Sequence, residues 1–340
     1  MPIDVQQLGD ALSEPTEKLI DSFRHLAGDL LILGAGGKMG PTFARMARRA
    51  FDATGKRSRV LAVSRFTNDN LAQELAAHGV EIISGDLFDA KFVGNLPDAA
   101  NVLYLVGMKF GTAADAARTW ASNTYIAGLV ADRFRTSRIV ALSTGNVYGL
   151  VPVDHGHGAT EKSPLVPDGE YAASAIGRER IFEYFSHAHG TRAAIIRLNY
   201  ATELHYGVLV DLAQKVFRDE PVSLTTGYFN TIWQRDACDM ILRTFEHATS
   251  PPLVLNVTGL ERLSVRTVCE HFGKLLGREP KFIGTEATTA LLNDAHLARH
   301  LLGPPPTSVE QMLEWTADWI QRGGETWNRP THFEVRDGKF

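Results

Sequence analysis

The fold of this chain is decided by a short stretch at residues 29–40, which reads DLLILGAGGKMG. An apolar strand runs directly into a turn that is rich in glycine. Gly34 permits a tight turn, Gly37 lets the backbone approach a pyrophosphate without a Cβ in the way, and Gly40 lets a following helix pack on the strand. The helix that follows would present free N–H groups to an anion. We therefore predict a nucleotide-binding turn formed by Gly34, Gly37, Lys38, Met39 and Gly40.

A helix follows at the place that this motif requires. Pro41 suits the first turn of a helix, and apolar residues recur at helical spacing on one face at Phe43, Met46, Ala47 and Phe51. A glycine-rich loop alone often does nothing but turn the chain. The order of strand, turn and helix is what favours nucleotide binding.

The composition is that of an ordinary globular protein, with 340 residues of which 44% are hydrophobic and 22% charged. It excludes fibrous and disordered chains. A formal net charge of −4 without a concentrated Lys/Arg run argues against a nucleic-acid or anionic membrane surface. We expect the neighbouring Arg45, Arg48 and Arg49 to form a solvated helix face.

Cys238 and Cys269 are too far apart in sequence for a Cys-x-x-Cys redox or zinc pair. We expect two buried free thiols and a reduced, cytoplasmic location. The N-terminus shows neither the basic region nor the apolar core of a signal peptide, and no run of about 18 apolar residues occurs. Secretion and membrane insertion are therefore not expected.

Apolar segments alternate with helical patterns after the glycine turn. The predicted strands that follow it are 60–63, 80–83, 102–106, 139–142 and 194–196. This alternation favours right-handed β-α-β units and a parallel sheet buried on both faces. The predicted fold class is α/β, a doubly wound Rossmann sheet flanked by helices.

We expect a smaller substrate lobe interwoven with the Rossmann domain. Residues 29–198 would form that domain, and residues 230–258 would return to it with a strand at 253–257. The substrate lobe would comprise residues 199–229 and 259–322, where the rhythm changes. Its predicted helices are 206–217, 265–276, 286–301 and 307–322.

Both ends of the chain are expected to lie outside these two units. Residues 1–28 would form a helical extension, because Ser13–Ala27 is amphipathic and begins with a capping pattern. Residues 323–340 show no periodicity. We expect this tail to be either a strap over the surface or loosely ordered.

The end of the second predicted strand indicates which dinucleotide is bound. An acidic side chain there would bond the free 2′-hydroxyl of NAD. Ser64 and Arg65 instead offer a hydroxyl and a guanidinium, which suit a 2′-phosphate. We therefore predict NADP, or else NAD if Arg65 is only a solvated surface residue.

Further cofactor contacts are expected at the carboxyl ends of the next two strands, where ligands of parallel sheets bind. Asp86, followed by Leu87, can place a carboxylate near the adenine amino group. Val106, Gly107 and Met108 end the fourth strand on the nicotinamide side.

An ordered series of motifs extends this pattern along the chain. After the glycine turn come STGNVYG at 143–149, EKSP at 161–164 with Pro167, GEYAASA at 169–175 with Glu179, RLN at 197–199, Asp236-Ala237, LNV at 255–257, and LLG at 301–303 with Pro305. Together they resemble the extended short-chain dehydrogenase/reductases, the NAD-dependent epimerase/dehydratase family. The resemblance covers roughly residues 29–322.

The resemblance implies acid–base catalysis beside a hydride carrier. It assigns Thr144 to orienting the substrate and Tyr171 to exchanging its proton. It also places Tyr171 against the cofactor, together with Asn123, Leu142 and Asn199. In the family a lysine four residues after the tyrosine lowers the phenol pKa and holds the nicotinamide ribose. This chain has Ala175 at that position.

The missing lysine weakens proton abstraction by Tyr171 more than proton donation. An unassisted tyrosine has a pKa of about 10 and is ionised in roughly one molecule per thousand at pH 7. Arg178 could supply a distant positive charge, although a surface position is favoured. Other candidate bases are Lys109, His155, His157 and His205. Since no third ligand accompanies His155 and His157, a polar loop is favoured there and no metal site is predicted.

The predicted substrate is a small sugar-like molecule or polyol. Many family members bind nucleoside-diphosphate sugars through arginines at two positions, but residues 229–233 and 285–293 contain none here. Because both diphosphate clamps are missing, a free sugar, acid sugar, glycoside or polyol is favoured over a nucleotide sugar. The candidates for its pocket, beside Asn199, are Lys109, Asn146, His205, Tyr206 and Trp233.

The sequence therefore predicts an NAD(P)-dependent oxidoreductase or epimerase that acts on a hydroxyl-bearing carbon. The alternative is a catalytically degenerate NAD(P)-binding sensor or scaffold, for which Ala175 is the best argument. The resemblance also implies a homodimer through helices at 113–134 and 170–187, although their apolar faces would equally cover the sheet of one subunit.

Overall fold

The computed structural model describes residues 4–67, 69–112, 114–154 and 156–339, and a parallel sheet forms its centre. In those ranges the strands are β1 (Leu30–Leu33), β2 (Val60–Ser64), β3 (Glu81–Ser84), β4 (Asn101–Tyr104), β5 (Arg138–Thr144), β6 (Val151–Pro152), β7 (Ala193–Leu198), β8 (Ala201–Thr202), β9 (Val222–Ser223), β10 (Tyr228–Phe229), β11 (Ile232–Trp233), β12 (Leu253–Val257), β13 (Leu263–Ser264), β14 (Phe282–Ile283) and β15 (Thr289–Ala290).

The α-helices of the same ranges alternate with these strands as predicted. They are α1 (Val5–Leu12), α2 (Glu17–His25), α3 (Gly40–Thr54), α4 (Asp69–Ala77), α5 (Ala90–Gly94), α6 (Ala116–Trp120), α7 (Ile126–Arg133), α8 (Gly169–His189), α9 (Val208–Phe217), α10 (Gln234–Arg243), α11 (Val265–Leu276), α12 (His296–Leu302) and α13 (Val309–Gln321). A π-helical turn, Ala121–Tyr125, connects α6 to α7.

The central sheet confirms the predicted Rossmann class. Within the described ranges its seven strands follow the order β12-β7-β5-β4-β1-β2-β3, and all neighbours pair in parallel. The strand order reverses at β1, which lies between β2 and β4. The connections that follow β1 and β4 run in opposite directions. A crevice therefore opens outside the carboxyl ends of these two strands, where such sheets bind ligands.

Helices cover both faces of this sheet. On one face α2, α3, α10 and α12 enclose an apolar cluster that includes Phe23, Phe43 and Phe51. On the other face α7 and α8 pack against the sheet through residues such as Val130 and Phe182. Both faces are therefore dry, as the apolar strands require.

A second apolar cluster forms the core of the smaller lobe. Helices α9, α11 and α13 pack against one another around it. Leu8 and Leu12 from α1 complete this core from one end of the chain, and Phe333 from the tail completes it from the other. The tail is thus a strap anchored in the smaller lobe, one of the two possibilities predicted for it.

The N-terminal extension holds two helices where we predicted one. Helix α2 begins at Glu17, because Thr16 accepts a hydrogen bond from the backbone N–H of Leu19 at 3.1 Å. Helix α1 brings Asp10 to Arg45 of α3, and Glu74 contacts the same guanidinium at 3.2 Å. Arg45 is 6% exposed, so its prediction as a solvated residue is wrong.

A further correction concerns the predicted helix at 286–301. Only its end is helical, as α12, because Thr289 and Ala290 pair antiparallel with β6 instead. This pairing satisfies the backbone of an apolar, threonine-rich segment that looks helical by spacing alone. Cys238 and Cys269 are buried free thiols, as predicted. Among the residues described here, no helix has both the length and the apolar character needed to cross a membrane.

Candidate active site

The glycine turn after β1 has the geometry that its sequence requires. Gly34 has a φ of +86°, which favours glycine. A Cβ on Gly40 would lie 2.1 Å from the backbone oxygen of Ala35, so α3 could not start so close to the turn with any other residue. At Gly36 a Cβ would lie 2.6 Å from Oγ of Ser64. The turn is thereby pressed against the end of β2, and α3 begins directly behind it.

One cavity lies on the β2 and β3 side of the turn and has a volume of about 390 Å³. Its wall includes four predicted contacts of the adenosine half, namely Ser64, Arg65, Asp86 and Leu87, and also Met108, which we predicted on the nicotinamide side. Arg65 is exposed and lines this cavity. Asp86 accepts a hydrogen bond from the backbone N–H of Phe88 at 3.0 Å, which fixes its loop.

A larger cavity of about 1130 Å³ lies on the other side of the turn. The two cavities share Gly34, Gly36, Gly37 and the segment 105–107, so they form one groove across the glycine turn. A groove that passes a helix N-terminus and continues on both sides suits an extended dinucleotide. The predicted contacts that line the larger cavity are Lys38, Met39, Gly40, Val106, Gly107, Leu142, Tyr171 and Asn199.

Thr144 and Tyr171 both line the larger cavity, although 27 residues separate them. Thr144 is the last residue of β5, and its Oγ1 accepts a hydrogen bond from Nδ2 of Asn146 at 2.9 Å. Tyr171 lies in the first turn of α8 and is half-buried. The carboxyl end of β5 and the start of α8 thus bring a hydroxyl and a phenol to the same cavity as the glycine turn.

A buried ion pair holds these two elements together. Nη2 of Arg197 in β7 lies 2.7 Å from Oε2 of Glu179 in α8, and the two side chains are 4% and 1% exposed. Arg197 also donates to the hydroxyl of Tyr148 at 2.8 Å, and Ser143 donates to Glu179. Because Ser143 precedes Thr144, its contact with Glu179 fixes α8 relative to the carboxyl end of β5.

Arg178 lies inside the site, which contradicts the predicted surface position. Its side chain is 4% exposed and lines the larger cavity. Nη1 donates to the backbone oxygen of Val106 at 2.9 Å. A Cβ on Gly107 would lie 2.8 Å from that nitrogen, so the glycine makes room for the guanidinium.

Asn123 supports the end of β4 from behind the cavity rather than lining it. Its Oδ1 accepts from the backbone N–H of Met108 at 2.8 Å, and its Nδ2 donates to Oγ of Ser174 at 2.8 Å. Asn123 lies in the π-helical turn, a type of distortion that is frequent at functional sites. It therefore connects the nicotinamide end of the groove to α8.

Two lysines bring positive charge to the larger cavity. Nζ of Lys38 donates to the backbone oxygen of Ala201 at 3.0 Å and lies 4.3 Å from the ring centre of Tyr206. Lys38 therefore spans from the glycine turn to the smaller lobe. Burial lowers the pKa of Lys38 to about 8, and burial with the charge of Lys38 does the same for Lys109.

The tail forms a wall of this cavity, which no motif in the sequence predicts. Trp327, Arg329 and Thr331 all line it. The Trp327 ring stacks on His205 with an interplanar angle of 4° and a centroid distance of 6.1 Å. Thr331 donates to Asp211 of α9 at 2.6 Å. No helical or strand periodicity marks these residues, so only the folded chain brings them to the site.

The other predicted substrate residues lie in different parts of the structure. Asn146 and Tyr206 line the larger cavity with Lys109. His205 lies behind Trp327, where its Nδ1 contacts Oε2 of Glu203 at 3.1 Å. Trp233 is wrong as a pocket residue, because it is 5% exposed and packs against Trp315 in the core of the smaller lobe.

The histidine loop does not reach the cavity walls described above. His157 contacts the ring of His296 at 4.5 Å, away from both cavities. His155 falls outside the described residues. Across the described parts of the chain, no three His, Cys, Asp or Glu side chains group as metal ligands would.

Comparison with known proteins agrees with this geometry. A model of the NAD dependent epimerase/dehydratase family matches residues 30–224, more than half of the chain. The dTDP-glucose 4,6-dehydratase of Mycolicibacterium smegmatis is 25% identical over 324 residues, which cover 88% of this chain and 95% of that protein. The dTDP-glucose 4,6-dehydratase of Streptomyces niveus is 26% identical over 179 residues, about half of either chain (49% and 52%).

Solved structures share the fold. The dTDP-glucose 4,6-dehydratase of Streptomyces venezuelae, solved with NAD and TYD bound, has a TM-score of 0.72 and 20% identity and covers 86% of this chain and 97% of its own. The family resemblance, the Rossmann class and the nicotinamide dinucleotide expected from the sequence are therefore confirmed. With its glycine turn and the groove across it, the chain belongs to the NAD dependent epimerase/dehydratase family.

Proposed function

We propose that the protein is an NAD(P)-dependent oxidoreductase or epimerase that acts on a hydroxyl-bearing carbon of a sugar-like substrate. One observation carries the proposal: Thr144 and Tyr171 line the same cavity as the glycine turn and the end of β4. Nucleotide binding alone would not need a hydroxyl and a phenol at this place. The two relatives named above are dTDP-glucose 4,6-dehydratases, which supports a carbohydrate as substrate.

The chemistry follows from general acid–base catalysis. When bound, NAD(P) supplies the acceptor or donor of the hydride that leaves or joins the substrate carbon. Tyr171 takes the hydroxyl proton as the C–O bond becomes a carbonyl, or returns it in the reverse direction. Thr144 orients that hydroxyl. Gly37, Met39 and Val106, which line the groove, would hold NAD(P), and the cofactor would supply both the oxidising and the reducing half of an epimerisation without an external oxidant.

The cavity suggests how the substrate is held. At about 1130 Å³ it exceeds the volume of most small-molecule sites, and it leaves room for a sugar beside the nicotinamide half of the cofactor. Asn146, Tyr206 and Asn199 offer hydrogen bonds at its floor, and Trp327 offers an aromatic wall. Segment 229–233, which lacks an arginine, is buried. We therefore keep the proposal of a free sugar, acid sugar, glycoside or polyol.

We propose NADP as the preferred cofactor, because Arg65 is exposed to the adenosine cavity and no carboxylate replaces Ser64 at the end of β2. Equilibrium titration with NADPH and NADH tests the preference. We expect NADPH to bind more tightly, and Arg65→Ser to remove most of the difference. Equal affinity of the wild type for both would contradict it.

Replacing Tyr171 by Phe tests the catalytic proposal. We expect turnover of sugars or polyols to be lost, while the affinity for the dinucleotide changes little, since only the proton-carrying oxygen is removed. Tyr184→Phe is the matched control, because this tyrosine lies on the same helix and is 63% exposed. Full turnover in the Tyr171 variant would refute the assignment. A wild type that binds the dinucleotide but turns over no substrate would favour a sensor or scaffold.

A homodimer through the helices at 113–134 and 170–187, which contain α6, the π-helical turn, α7 and most of α8, remains our proposal for the assembly. Exposed aromatic residues in the first of these two segments support it, namely Trp120 (40% exposed) and Tyr125 (50% exposed). Light scattering of the purified protein tests it, and a monomer at micromolar concentration would contradict it.

A further inference from the structure

Arg178 is a buried cation whose hydrogen bonds are only partly made. It lines the larger cavity and is 4% exposed. Nη1 donates a hydrogen bond to the backbone oxygen of Val106. Nε is buried and, among the described residues, finds no hydrogen-bond partner. A guanidinium carries five N–H donors in a rigid fork, and because Arg178 lines the cavity, a ligand there with several acceptors would meet those donors that face it.

The position of Arg178 on α8 directs it to the side of the helix that carries Tyr171. Seven residues correspond to nearly two full turns, so the two side chains leave the helix within about 20° of each other. Helical side chains lean toward the N-terminus, and Arg178 therefore extends over the turn that contains Ala175. Ala175 is fully buried and offers only a methyl group there.

The neighbours of the guanidinium identify the part of a ligand that it meets. The guanidinium lies against Val106 and Gly107, which follow β4, and both line the groove. In a doubly wound sheet this edge lies on the nicotinamide side of a bound dinucleotide. The acceptors nearest to the nicotinamide ring are the hydroxyls of its ribose, and a planar fork can reach two of them.

We propose that Arg178 binds the ribose hydroxyls on the nicotinamide side of the cofactor and supplies the positive charge that position 175 lacks. The assignment rests on the proposed NAD(P) function and names a residue that completes the same site.

Paired ligands test it without any substrate. NADPH carries the nicotinamide ribose, whereas 2′,5′-ADP is the adenosine half alone and would not meet Arg178. Both are titrated into the wild type and into Arg178→Gln, which keeps a polar side chain and removes the charge. Arg180→Gln is the matched control, because Arg180 lies on the exposed side of α8. Thermal unfolding confirms that each variant is folded, and Arg178→Lys replaces the glutamine variant if it is not.

We expect Arg178→Gln to weaken NADPH about 10- to 100-fold, as for loss of hydrogen bonds to a charged group, and to change 2′,5′-ADP less than twofold. Unchanged NADPH affinity, or an equal loss for both ligands, would overturn the assignment. A wild type that binds neither ligand would overturn the proposed function itself.

Discussion

Replacing Arg197 by Met would break the buried ion pair that joins β7 to α8. The substitution keeps most of the side-chain volume but leaves the Glu179 carboxylate, 1% exposed, without its bidentate partner. Removing one partner of a buried pair costs about 3–5 kcal/mol, because an uncompensated charge remains in the interior. We expect the free energy of unfolding to fall by that amount.

The size of the effect can be converted into a melting temperature. For 340 residues the unfolding entropy is about 0.7 kcal/mol per kelvin, so the expected loss corresponds to a decrease in Tm of about 4–7 °C. Circular dichroism during thermal and urea unfolding measures it. The matched control is Arg180→Met, since the Arg180–Glu183 pair lies on the same helix with 61% of the arginine exposed, and such pairs contribute about 0–1 kcal/mol.

A double variant separates charge from packing. In Arg197→Met combined with Glu179→Leu no buried charge remains, and apolar replacement of a whole buried pair is often neutral. We expect the double variant to recover most of the lost stability. The reasoning is refuted if Arg197→Met costs no more than Arg180→Met, or if the double variant is as unstable as the single one.

Three further predictions concern other parts of the molecule. Gly40→Ala should abolish dinucleotide binding in a fluorescence titration, because its Cβ would lie 2.1 Å from a backbone oxygen. The control is Gly128→Ala in α7, whose Cβ would meet no atom within 4 Å. It should keep dinucleotide binding and raise the free energy of unfolding by about 1 kcal/mol. The pKa of Lys38 is lowered by burial from 10.5 to about 8. Between these values the unfolded chain binds more protons than the folded one, so the free energy of unfolding should rise with pH across that window. Urea unfolding of Lys38→Met at pH 7.5, 9 and 10 should show a smaller rise, and the same pH dependence as in the wild type would contradict the burial. Phe333→Ala should cost about 3–5 kcal/mol in urea unfolding, since the ring is 4% exposed in the core of the smaller lobe; a loss below 1 kcal/mol would mean that the tail is not anchored.

The glycine turn and the sheet could be predicted because their signals are local. The apolar run before Gly34 and the helical spacing after Pro41 specify strand, turn and helix within about 25 residues, and the later strands repeat the pattern. The residues at the ends of these strands follow from topology, since parallel strands gather their carboxyl ends at one edge. Thr144 and Tyr171 therefore reach the cavity from quite different elements.

The remaining features depend on contacts that sequence spacing does not encode. The spacing of Arg178 on α8 does not distinguish a surface residue from one that points inward. In the folded chain its guanidinium lies close to Gly107, which shows that it points inward. The sequence around Trp233 is compatible with a position in a pocket and with a position in a core. In the structure its ring packs against Trp315, which places it in the core. The strap around Trp327 has no periodicity, because side-chain stacking and bonds to α9 position it rather than regular backbone structure.

The core of the smaller lobe contains Leu8 of α1 and Phe333 of the tail, which lie more than 300 residues apart along the chain. Contacts between residues so distant in sequence form slowly, because a long loop must close before they are made. The β-α-β units of the Rossmann sheet depend on much more local contacts. We therefore expect the smaller lobe, and with it the cavity wall around Trp327, to become ordered later in refolding than the sheet.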